Sequence, residues 1–238
     1  MGVPLRTIDQ AKAGGGLAVA LAVAALLFAV WPMLDVQLSA LFFRPEIGFW
    51  LERAPGLEAF RNLVWDLTIM VFVVALAGAG LALVRRPLLG VTQSDWVYIA
   101  VLYLLGPILL VNLTLKAHWG RARPADVTEF GGAHQFTPFW KPTDQCLANC
   151  SFVSGEVAAT VVMGIAMLVV RPALGRYLPK VALRLWAAMA YALPLAVGVQ
   201  RIIAGRHFLS DTVFAALFML GLALVLLPIR GTAKRPSL

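Results

Sequence analysis

Apolar runs dominate the chain and are cut at intervals by charges, prolines and glycines. A helix needs about 20 mainly apolar residues to cross a bilayer. The runs predict six such helices, over about 17–34, 67–84, 96–115, 152–170, 185–205 and 211–229. The expected fold class is all-α, a polytopic membrane protein with six transmembrane helices in a bundle. No internal repeat or linker interrupts it, so residues 1–238 read as one domain with a motif-bearing core at about 95–229. The first run follows Arg6, Lys12 and Gly14-Gly15-Gly16. It is too long for a signal peptide and lacks an obvious small-residue cleavage site, which predicts a retained span. Two longer segments, 35–66 and 116–151, separate the spans. The first contains amphipathic pieces such as 57–64 and is expected to lie along the membrane surface. The second is rich in proline and glycine and holds most of the polar chemistry of the chain.

Composition sharpens the picture. The chain is 61% apolar and 13% charged, which excludes an ordinary soluble globule and a disordered chain. The net charge of +8 is not gathered into a stripe or tail, so no nucleic-acid partner is expected. The basic residues punctuate apolar runs, as membrane topology requires. Six spans put both termini on one side. That side collects eleven Lys and Arg, among them Arg6, Lys12, Arg85, Arg86, Lys234 and Arg235, against nine on the other. Both termini are therefore expected in the cytoplasm of a bacterial inner membrane, with the polar loops facing the periplasm. Two spans run short of charge-free length: 16 residues separate Arg184 from Arg201, and 14 separate Glu156 from Arg171. Glu156 and Arg201 must sit at or inside the outer ends of their helices, where charge is costly and points to function.

Three polar clusters fall at span ends on that same outer side. Lys116 and Arg123-Pro124 follow the third span, seven residues apart, so both could face one point if the helix continues. Ser154-Gly155-Glu156 opens the fourth span, where free backbone N–H groups suit an anion. Arg201, His207 and Asp211 join the last two spans, and His207 and Asp211 would share a face if helical. His118 and His134 lie in the outer loop, and Arg121 and Arg206 flank the motifs, as headgroup contacts or anchors to lipid phosphates. Cys146 and Cys150 are the only cysteines, and a disulfide between them suits an oxidising periplasm. Trp119, Phe130, Phe136, Phe139 and Trp140 crowd the loop, as an interfacial belt or as a greasy rim to a pocket. No HExxH motif or carboxylate cluster suggests a metal.

The order and spacing of these clusters resemble the type 2 phosphatidic acid phosphatase (PAP2) superfamily, in its membrane-bound bacterial lipid phosphatase branch. Its first motif, Lys-x6-Arg-Pro, is complete at Lys116, Arg123 and Pro124. Its third, Ser-Arg-x5-His-x3-Asp, is matched at Arg201, His207 and Asp211, with Gln200 in place of Ser. Its second, Pro-Ser-Gly-His, reads Val153-Ser154-Gly155-Glu156. The resemblance implies metal-independent phosphoester hydrolysis without a cofactor. His207 would form a phosphohistidine, Asp211 would hold its tautomer, and Lys116, Arg123, Ser154, Gly155 and Arg201 would bind phosphate. The substrate would be a lipid-linked phosphate or pyrophosphate: a phospholipid, undecaprenyl pyrophosphate or lipid A. No obligatory protein partner is implied beyond membrane lipids. The family's second-motif His is its general acid. Here Glu156 could take that role, His118 or His134 could, or Glu156 could merely cap its helix. Phosphoryl transfer to another lipid, or non-catalytic lipid binding or transport on a degenerate scaffold, are the alternative functions.

Overall fold

Lipid offers the backbone no hydrogen-bond partners, so an apolar run of spanning length closes its own bonds as a helix. The computed structural model describes residues 5–231 except 53 and 85–87, with side chains from residue 10 onward. Arg85, Arg86, Lys234 and Arg235 lie outside the described residues, as does the side chain of Arg6. Six helices are long and apolar enough to cross a membrane. They are α1 (Leu5–Val30), α3 (Pro55–Leu83), α4 (Gln93–Tyr103) with its continuation, α6 (Gly155–Leu174), α7 (Lys180–Ile203) and α8 (Leu209–Leu226). The protein is an all-α polytopic membrane bundle.

α6 is the central helix: it packs on α3, α4, α7 and α8, and most of its residues are buried. Small residues let backbones close in. A Cβ on Gly164 would run into the Ala190 carbonyl of α7, and one on Gly78 of α3 would meet the Trp96 ring of α4. α1 lies on α8 and α3 on α4. The outward faces carry exposed Leu, Val and Met, as a lipid-facing surface should.

Three local expectations are corrected. Residues 55–66 do not lie along the surface: they are the opening turns of α3, whose 29 residues reach about 43 Å at the usual rise. Pro55 at the first helical turn starts that helix early, and Val64 is buried in the core. Glu58, Arg61 and Asp66 broke the apolar run and concealed it. The third span does not carry its helix to Arg123. Beyond α4 it winds as a π-helix over Leu104–Leu115, holding Pro107, and ends in α5 (Lys116–His118). Gly120 then turns the chain with φ +70. Most of the aromatic loop residues, finally, pack inward. Phe139 stacks on Phe214 at 4.4 Å and Trp119 on Phe152 at 4.8 Å, holding the loop onto the bundle. Phe130 is buried and Phe136 packs on Phe208; of this group only Trp140 is exposed.

α2 (Leu34–Ala40) and a two-stranded hairpin, β1 (Phe43–Arg44) with β2 (Gly48–Phe49), cap the same end of the bundle. Phe49 sits on Gly205, whose φ of +64 and close approach to that ring exclude a side chain there. Tight α6–α7 contact makes a clear prediction. Gly164→Ala should cost about 1–3 kcal/mol, seen as a lower unfolding midpoint in detergent. Gly14→Ala, with nothing within 4 Å, should not lower it.

Candidate active site

The bundle end where α1, α5 and α7 finish and α3, α6 and α8 start encloses a cavity of about 580 Å³. Among its lining residues are Lys116 from α5, Arg123 from the loop, Gly155 and Glu156 from the first turn of α6, Arg201 from the last turn of α7, and His207 from the turn before α8. The three clusters, spread over 96 residues of sequence from Lys116 to Asp211, thus converge. Arg61 of α3 and Arg206 line the same space, with Glu52 and Glu58. On this wall five Lys and Arg side chains face three carboxylates. Lys116 is nearly buried and makes no ion pair among the described residues. Arg123 donates from Nη2 to the Asn149 carbonyl at 2.7 Å. Burial lowers the Arg123 guanidinium from its ordinary value, and Arg206 adds to the effect.

His207 lies before α8, which begins only at Leu209, yet it still meets Asp211. Its Nδ1 lies 2.8 Å from the Ser151 carbonyl and 3.7 Å from Asp211 Oδ2. A carbonyl can only accept, so Nδ1 carries the proton and Nε2 keeps its lone pair. Burial lowers His207 to about 4, helped by the Lys116 charge and opposed by Asp211. The imidazole is therefore neutral at ordinary pH.

Asp211 stands behind the cavity wall, fully buried. Oδ2 accepts from Ser151 Oγ at 2.5 Å and from the Phe208 N–H at 2.8 Å, and Oδ1 accepts from Arg121 Nη1 at 2.6 Å. Arg121 is not a headgroup contact or a lipid anchor, since it has no exposed surface. It reaches Asp35 Oδ2 at 2.9 Å, Ser210 Oγ at 2.8 Å and the Thr137 carbonyl at 2.8 Å, with its guanidinium over the Phe208 ring. A buried guanidinium is stable only when it is hydrogen-bonded and its charge is paired, and Arg121 makes four hydrogen bonds, two of them to carboxylates. Asp35 is absent from the motifs, yet it also accepts from Ser210 N at 2.9 Å and Ser210 Oγ at 2.5 Å. Its one sequence signal is isolation: it is the only carboxylate between Asp9 and Glu46.

The other candidates fall in different places. Ser154 is buried and caps α6, accepting from Val157 N, and it does not line the cavity. Glu156 is an ion-pair partner of Arg61 and Arg201, at 2.5 Å and 2.9 Å. Arg206 pairs with Glu52 at 2.6 Å. His118 and His134 are exposed and off the cavity, His118 against the Thr114 carbonyl and His134 in a backbone bridge to Val127. Cys146 and Cys150 form a disulfide beside Asn149. Among the described residues, no three His, Cys, Asp or Glu side chains are grouped to hold a metal ion.

Arg121→Met should cost about 3–5 kcal/mol, because it strands two buried carboxylates. Arg206→Ala breaks a partly exposed pair and should cost at most about 1 kcal/mol. Unfolding midpoints of the two variants in detergent check the contrast.

Known proteins share the sequence pattern and the fold. The PAP2 superfamily pattern matches residues 96–235. Lipid A 4'-phosphatase of Francisella tularensis subsp. novicida (strain U112) is 30% identical over 201 residues, 82% of this chain and 85% of that protein. Lipid A 4'-phosphatase of Rhizobium leguminosarum is 39% identical over 110 residues, 46% of this chain and 44% of that protein. The solved transmembrane PAP2 type phosphatidylglycerolphosphate phosphatase from Bacillus subtilis shares the fold, with a TM-score of 0.60 at 20% identity over 94% of this chain and 98% of that one. With the six-span bundle, the extent of these matches is decisive: the chain belongs to the PAP2 superfamily, within its membrane lipid phosphatases.

Proposed function

We propose that this protein removes a phosphate from lipid A or a closely related envelope lipid, at the periplasmic face of a bacterial inner membrane, through a phosphohistidine at His207. The observation that carries the reading is His207 itself: neutral, fixed at Nδ1 by Ser151, and set in a cavity walled by Lys116, Arg123 and Arg201. His207 Nε2 attacks phosphorus, the ester P–O bond breaks, and the leaving oxygen takes a proton from water and departs as the lipid alcohol. Water then attacks the phosphohistidine, releases phosphate and restores the neutral ring. Phosphoryl transfer depends mainly on positioning and on neutralising the equatorial oxygens. Lys116, Arg123, Arg201 and the N–H groups at the start of α6 supply this without a metal ion. Asp211 steadies the imidazolium charge that forms on attack.

Three observations support the substrate and the side. The lipid A phosphatases resemble this chain over most of one relative's length. The cavity opens at the end of a membrane bundle, where a headgroup is presented by the bilayer. The Cys146–Cys150 disulfide lies at that end, and disulfides persist in oxidising compartments.

Phosphate release from lipid A by the purified protein in detergent with EDTA should proceed and should fall at least about a thousandfold in His207→Ala. Loss of release in EDTA, or its survival in the variant, would contradict the reading. The pH profile adds a second check. The neutral ring is the active form, and its pKa is lowered to about 4. The acid limb of kcat/KM should therefore fall near pH 4 and not near the ordinary histidine value of about 6.5.

A further inference from the structure

Glu156 stands where the related motif has a histidine, and its contacts are those of a counter-ion. Oε1 accepts twice from one guanidinium, Arg61 Nε at 2.7 Å and Nη2 at 2.5 Å. Oε2 faces Arg201, whose Nη1 is 2.9 Å away. That approach is too oblique for a hydrogen bond, so Oε2 is a buried acceptor without a donor of its own. Arg201 is held from its other side by Gln200 Oε1, 2.6 Å from Nε. Two guanidiniums thus flank one carboxylate, and both line the cavity with Lys116, Arg123 and His207. Unscreened guanidiniums this close would repel, and the carboxylate between them offsets that repulsion. Arg61 comes from α3, upstream of every motif residue, so no motif spacing points to it.

We propose that Glu156 is a positioning residue that sets Arg61 beside Arg201, and that Arg61 is a further phosphate-binding residue of this site. The inference rests on the phosphate-ester reading above. Arg61 spends Nε and Nη2 on Glu156 and one Nη1 donor on Asn62 Oδ1 at 2.9 Å, so its charge and the remaining N–H groups of Nη1 and Nη2 are what it offers a phosphate oxygen beside Arg201. Arg61 is 35% exposed, against 12% for Arg201, so it meets the headgroup at the mouth while Arg201 holds the oxygens deeper in. In this role Glu156 gives no proton to the leaving group, and the leaving oxygen takes its proton from water in the cavity.

The test compares a lipid phosphate with an aryl phosphate, whose phenolate leaves without a proton. Arg61→Ala should raise KM about tenfold or more on the lipid, with kcat changed far less. Arg61→Lys, which keeps the charge and loses the fork, should fall between. Glu156→Gln keeps an acceptor for Arg61 but removes the charge, and it should raise KM to a similar degree on both substrates. A kcat loss of about a hundredfold for Glu156→Gln on the lipid, absent on the aryl phosphate, would make Glu156 the proton donor and overturn the proposal. An unchanged KM in Arg61→Ala would overturn it too. Titration of inorganic phosphate into the His207→Ala protein needs no turnover. Adding Arg61→Ala should weaken that binding about tenfold, and equal binding would refute the role of Arg61. If the wild type releases phosphate from no ester, the hydrolase reading fails and this titration still decides the place of Arg61. Arg61→Gln replaces Arg61→Ala wherever the alanine variant is not monodisperse in detergent.

Discussion

Arg121 carries its charge with no exposed surface, between the carboxylates of Asp35 and Asp211. Burying one ion costs several kcal/mol unless its partners are in place. Here the partners come from α2, from the start of α8 and from the Thr137 carbonyl of the long loop. One guanidinium therefore ties together the cap, the loop and the turn that carries His207. Ser151 carries the tie to the cavity. Its N–H donates to the Arg121 carbonyl, its hydroxyl to Asp211, and its own carbonyl fixes His207. The cavity is thus backed by buried groups that do not line it.

That division explains what sequence could and could not reveal. The spans were legible because lipid forces long apolar runs into helices. Lys116, Arg123, Arg201 and His207 were legible because their spacing repeats a known pattern, and they do meet at one cavity. Asp35 and Ser151 were not, since each is remote in sequence from the groups it serves. Arg61 carries no signal of its own, because α3 begins twelve residues before the apolar run that marks it, at Pro55 and not at 67. The π-helical stretch around Pro107 has no periodicity signal, yet the chain must pass through it to bring Lys116 inward. His207 and Asp211 do meet, at 3.7 Å, though not across a helical turn, since His207 lies before α8.

The cavity wall carries more cation than anion. Five basic side chains face Glu52, Glu58 and Glu156 around a neutral imidazole. The excess suits a phosphate dianion, and the carboxylates hold particular cations in place: Glu52 for Arg206 and Glu156 for Arg61 and Arg201. Without such pairing, mutual repulsion would push the long side chains apart and out toward solvent. Position of charge, more than its amount, is what phosphoryl transfer asks of a protein.

Trapping the covalent intermediate tests the central claim most directly. Radiolabelled lipid phosphate, mixed with the enzyme and quenched in base within one turnover, should leave label on the protein. The account predicts a label stable to base and lost in acid, mapped to His207 and absent from His207→Ala. Label on another residue, or none while product accumulates, would contradict it.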